Sequence, residues 1–200
     1  MRKMLCLLLG LLLMCPCALS ENDTSATPAE ETGFVFRNGV TWGMTLEQVQ
    51  AQEGREADTT EPFTDYVTAS AYWDVPVSRY TANSLYYLFA EGALFLTNYE
   101  ITLDFLASDA EQDADYTYLT NALSSLYGKA NEIAPETICA FMQGITGRDE
   151  DFPSTRCLEW KAADGTIIWQ FLFNDRYIEI FYISPAFDFA QIGVYDTTGL

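Results

Sequence analysis

Carboxylates are the chemically competent side chains this sequence supplies in quantity, with 29 aspartates and glutamates and no histidine in 200 residues. Without imidazole there is no Ser-His-Asp or Cys-His catalysis, no His-ligated zinc, and no side chain that ordinarily titrates near neutral pH. Two acids at a suitable separation suffice for glycoside hydrolysis, but nothing in their spacing singles out a pair from so many. Asp109, Glu111, Asp113 and Asp115 alternate like the start of an EF-hand loop. That template needs glycine sixth and glutamate twelfth, where this chain has Ala114 and Thr120, so the stretch reads as the start of a helix. Neither Lys129 nor Lys161 lies three residues after a serine, and no Gly-rich phosphate loop is present. The expectation is no catalytic residue, no cofactor and no metal.

The chain opens with Arg2 and Lys3, an apolar run from Met4 to Met14, and Ala18-Leu19-Ser20 as a small-x-small cleavage signal. This reads as a secretory signal peptide over 1–20, because the run is about half the roughly 20 residues a spanning helix needs. Cys15 and Cys17 follow Met14 and Pro16, a poor lipid-attachment signal, so lipid anchoring is the less favoured alternative. Residues 21–33, rich in Ser, Thr and Glu, read as a flexible tether, and 34–200 as a single domain. All 29 acids lie beyond Ser20. So acidic a surface repels nucleic acid and anionic lipid, favours solubility, and attracts cationic partners. Cys139 and Cys157 are the cysteines left after the leader, an even pair expected to form a disulfide in an exported protein, with two buried thiols as the alternative.

The elements that would position any site are legible from capping and periodicity. In Asn38–Gly54, Thr45 and Gln48 have capping-box spacing, Met44 and Val49 form a staple, and Gly54 ends a helix over about 46–53. Its apolar face is too small to stand alone, so it must dock on a larger element. The run 71–77 contains Pro76 and suits an edge strand, while 84–106 holds two aromatic, branched runs divided by Glu91-Gly92, a hairpin signal. Ser108 and Glu111 open a long helix with Tyr116, Leu119, Leu123, Leu126 and Tyr127 as its stripe and Gly128 as its stop. Pro135 starts a shorter helix with Ile138, Phe141, Met142 and Ile145 apolar. Asp164-Gly165 and Asn174-Asp175 then divide 156–185 into a three-stranded meander. The order gives an α+β fold, an antiparallel sheet of about five or six strands with helices on one face. It also gives two loose helix-plus-strands units without a sequence repeat.

Gly43-Met44-Thr45 with Gln48 and Val49, preceded by Trp42, resembles the helix start of the small lipoprotein of the outer-membrane β-barrel assembly machine and of β-lactamase-inhibitor-protein-like domains. The resemblance covers about a dozen residues and implies a small exported α+β protein that acts by binding other proteins. It ends at Gly54-Arg55-Glu56, where the assembly lipoproteins tend to have a Gly-x-Pro turn, and it carries across no inhibitory residue. Trp42 and the aromatic strands also resemble those of secreted Firmicutes proteins.

The resulting expectation is an exported, non-catalytic binding domain whose partner is a protein or a cell-envelope component. The alternatives are a carbohydrate or peptidoglycan module and a carboxylate-based glycoside hydrolase. Both alternating faces of residues 166–173 and 177–183 are largely apolar, so one sheet face is free to meet a partner unless both are covered. Trp73, Trp169, Tyr177 and Tyr182 are the candidate binding aromatics. Two facing carboxylates in a deep cleft would favour the hydrolase, coplanar rings the sugar module, and an exposed apolar strip the protein partner.

Overall fold

The computed structural model describes residues 33–104, 107–149 and 151–187. The leader, most of the tether and the C-terminal stretch 188–200 lie outside the described residues. After a 3-10 turn at Arg37–Gly39 come α1 (Leu46–Glu53), β1 (Thr59–Pro62), β2 (Val67–Val77), β3 (Tyr80–Ala90) and β4 (Ala93–Thr102). They are followed by α2 (Asp109–Tyr127), β5 (Asn131–Glu132), α3 (Pro135–Thr146), β6 (Ser154–Lys161), β7 (Ile167–Phe173) and β8 (Tyr177–Ile183).

The described strands make one sheet in the order β1-β2-β3-β4-β8-β7-β6-β5, every neighbouring pair antiparallel. Eight strands replace the five or six expected. The two that the sequence does not announce are the edges, β1 and β5, whose residues are all exposed and so carry no apolar alternation. The sheet is two meanders, β1–β4 and β5–β8, joined along β4 and β8. Each meander belongs to one of the two helix-plus-strands units.

Helices cover both faces, not one. Val49 of α1 and Tyr116, Leu119 and Leu123 of α2 bury one face with Tyr72, Leu85, Tyr87, Trp160, Ile168, Ile178 and Ile180. Ile138, Phe141 and Ile145 of α3 bury part of the other with Leu88, Leu96, Trp169, Phe171, Phe181 and Ile183. Period-2 apolarity on both sides of β7 and β8 is what two covered faces require. Leu126, counted in the α2 stripe, is 73 % exposed, while Tyr127 beside it carries the stripe onto the core.

Local chemistry sets these elements. The Thr45 amide donates to Gln48 Oε1 at 2.8 Å and the Gln48 amide to Thr45 Oγ1 at 3.4 Å, closing the capping box, and Gly54 leaves the helix at φ 69°. Glu91 and Gly92 both have positive φ, as the two-residue turn between β3 and β4 demands. The 71–77 run is only half an edge. β1 pairs with β2 up to Ala71, and beyond it Trp73 N–H donates to Asp58 Oδ2 at 2.8 Å while Arg55 donates to the Trp73 carbonyl at 3.2 Å. Pro76 lies in this stretch without β1, where a missing N–H costs no ladder bond.

Candidate binding groove

The twelve-residue α3 is about 18 Å long. Its backbone comes nearest to β6, and its Phe141 packs edge-on to Trp169 at 5.0 Å and near Phe181 at 6.1 Å, which sets the helix over the β6–β8 half of that face. On that face the β2–β4 half of the sheet is left beside it as the bottom of a groove of about 300 Å³. Met142 and Ile145 of α3 form one wall, Tyr86, Leu88 and Leu96 lie on the sheet side, and Phe63 and Phe152 reach in from loops.

The polar groups of this groove converge on the seam between the meanders. Glu100 of β4 sits directly opposite Glu179 of β8, so their Cβ atoms are about 5 Å apart. Asn98, two residues before Glu100, lines the same space, as does Glu61 from β1. Glu179 is 6 % exposed, and its Oε2 and the Asn98 Oδ1 are buried without a hydrogen-bond partner among the described residues. Burial, and then the negative charge of Glu100, pushes the Glu179 carboxyl up to about 8, partly offset by the Asn98 side chain. Burial also raises Glu100, partly offset by the Ser84 hydroxyl. Among the described residues no lysine or arginine lines the groove.

The residues singled out from sequence divide sharply. Trp42 donates its indole N–H to Thr166 Oγ1 at 2.9 Å and packs edge-on to Phe36 at 4.6 Å. Gly43 N–H donates to the Leu94 carbonyl and Leu94 N–H to the Met44 carbonyl, so this stretch ties α1 to β4. Val49 is fully buried. With the capping pair of Thr45 and Gln48, these contacts tie the helix start into the body of the fold. Among the aromatics, Trp169 is core and donates its N–H to Glu159 at 3.0 Å. Tyr182 packs against Phe34, Phe36 and Tyr99, and burial with the nearby tyrosines raises its hydroxyl well above the ordinary value. Tyr177 is half-buried beside Phe173. Trp73 is 40 % exposed, edge-on to Tyr86 at 6.1 Å, at the bare end of the groove face.

Cys139 and Cys157, expected as a disulfide, are both thiols. Cys157 points from β6 into the core beneath α3, where burial raises its thiol to about 11, while Cys139 is half-buried on α3. The alternating acids of 109–115 belong to α2, with Asp115 held by Arg79 at 2.7 Å and Asp113 by Arg156. Among the described residues no group of three acids, cysteines or histidines is placed to hold a metal.

Glu100 and Glu179 escaped the sequence reading, although a signal existed. In "YIEIFYI" a glutamate interrupts an otherwise apolar strand, the kind of residue that needs a partner wherever the strand is buried. A wider cleft of about 540 Å³ lies between α2, β5 and β6, lined by Tyr116, Glu132 and Arg156. There the Tyr116 hydroxyl donates to the Arg156 carbonyl and Arg156 pairs with Asp113, so its central polar groups are already engaged. Compared with known proteins, the chain matches no family model, no curated protein and no solved structure.

Proposed function

We propose that this protein is an exported binding domain that captures a protein partner at the cell envelope or outside the cell through its α3-side groove. The leader-like residues 1–20 and the net charge of −19 support the address. The observation that carries the binding reading is the groove itself, an apolar and aromatic trough flanked by the exposed Phe63 and Trp73, with one oxygen of a buried carboxyl, Glu179 Oε2, lacking a hydrogen-bond partner among the described residues. Interfaces are enriched in anchors of this kind, and a buried polar group without a partner is costly to maintain for packing alone.

The sugar-module alternative loses ground on ring geometry. Trp73 and Tyr86 stand at 86° to one another, edge to face, and offer no coplanar platform for a pyranose. The hydrolase is favoured by one specific observation, a pair of carboxyls in a groove both held above their ordinary pKa by burial. Against it, Glu100 and Glu179 stand side by side on adjacent strands. A glycosidase pair flanks the scissile bond, with about 5 Å or more between carboxyls that face each other across the sugar.

Capture from the native envelope fraction tests the reading. The protein should retain the same partner when Leu126 is changed to Glu and lose it when Phe63 is changed to Glu. Equal retention by both variants would show that the groove face is not the surface used.

A further inference from the structure

We propose that the groove receives a primary ammonium on an apolar stem, the lysine side chain of the protein partner, with Glu179 as its buried counter-ion. This rests on the binding reading above and names the chemistry of its anchor. Three acceptors meet at the seam: Glu179 Oε2 and Asn98 Oδ1, both buried without partners among the described residues, and the Glu100 carboxylate opposite. An ammonium presents three donors and no acceptor, which matches that set. The aliphatic and aromatic walls suit the methylene stem, which a lysine buries readily while its head reaches polar groups.

Among the described residues, nothing in the groove supplies this cation from within. The described arginines that form ion pairs, Arg37, Arg55, Arg79 and Arg156, are engaged with Glu53, Asp58, Asp115 and Asp113, none of which lines it. A divalent ion is a poor match, because no three-ligand group is present among the described residues. The chain's acidity adds long-range attraction for a basic partner.

Binding carries a proton balance. The Glu179 carboxyl holds a proton in the free protein at neutral pH, and pairing with the ammonium releases that proton to solvent. The titratable groups facing Glu179 are Glu100 from β4, Glu61 from β1 and Tyr86 from β3, while the residues contributed by α3 and β7 carry none. Affinity therefore rises with pH up to about 8 and levels off above it.

The test titrates the purified protein with n-pentylammonium and, separately, with n-pentanol, its neutral counterpart, and follows backbone amide shifts by NMR at pH 7 and pH 9. The expected result is saturable binding of the ammonium at Tyr86, Asn98 and Phe181, about ten-fold or more tighter than the alcohol and tighter at the higher pH. Glu179→Gln, which preserves shape, should abolish the preference, and Glu100→Gln should reduce it. Equal affinity for the two probes, or an unchanged preference in folded Glu179→Gln, would overturn the proposal. If the probes fail but capture still depends on Phe63, the lysine anchor alone is wrong. If pentylammonium binds as expected and capture ignores Phe63, the fault lies with the partner-surface reading.

Discussion

Glutamine at position 179 should make this protein more stable, and increasingly so as pH rises. Glu179 is buried at the β4–β8 seam and titrates at about 8 in the folded chain, against 4.5 as its ordinary value. Between those values the unfolded chain has lost a proton that the native state keeps. The native state then binds more protons, and stability falls with rising pH, opposite in sign to a salt-bridged carboxylate. The slope is about 1.4 kcal/mol per pH unit for one group. Over the interval of roughly 3.5 units it accumulates to about 5 kcal/mol. Below pH 4.5 the protonated acid and the glutamine differ little, since each buries a neutral polar group. Urea unfolding followed by tryptophan fluorescence, run on both proteins from pH 4 to pH 9, measures the difference and removes the general effect of the chain's acidity. The variant's advantage should open near pH 4.5, reach about 3 to 6 kcal/mol near pH 8, and stay constant above it. Parallel curves would mean that Glu179 is solvated or already paired, and the groove chemistry would fall with it.

Other perturbations separate scaffold from surface. Thr45→Ala removes one half of the α1 capping box and should cost about 1 kcal/mol in unfolding free energy while partner capture is unchanged. Phe141→Ala empties the contact between α3 and Trp169 and Phe181, which should lower stability by about 3 to 5 kcal/mol in denaturant titration. The Cys157 thiol, held at about 11 by burial, should react with a thiol-specific chromophore at pH 8 about two orders of magnitude more slowly in the native protein than in denaturant. Fast native labelling at Cys157, identified by peptide mapping, would contradict its placement in the core.

The parts of the fold that could be read in advance are those set by neighbours in sequence. The Thr45–Gln48 box, the Glu91-Gly92 turn and the Pro135 helix start each act within a few residues, and all appear where capping and turn chemistry put them. The edge strands did not announce themselves. β1 and β5 are exposed at every position and are strands only because β2 and β6 offer them a ladder. The side on which α3 packs is likewise decided by tertiary contact, since its apolar stripe would suit either face of a sheet apolar on both. The same limit hid the groove. Glu100 and Glu179 are isolated acids in two separate apolar strands, and they become a pair only when β8 returns beside β4. Aromatic content does not by itself tell anchor from core: Trp169 is buried beneath α3 and Tyr182 packs half-buried against the opposite cluster, placements that only strand pairing and helix cover decide.

Site-specific photo-crosslinking in the native envelope tests the claim that the α3-side groove is the recognition surface. A crosslinking residue at position 73 lies at the bare end of the groove face, and one at position 118 lies on α2, which covers the opposite face. The account predicts a discrete adduct from position 73, lost in Glu179→Gln, and none from position 118. An adduct from 118 alone would contradict it, whereas one from 73 that persists undiminished in Glu179→Gln would remove the Glu179 anchor and leave the surface standing.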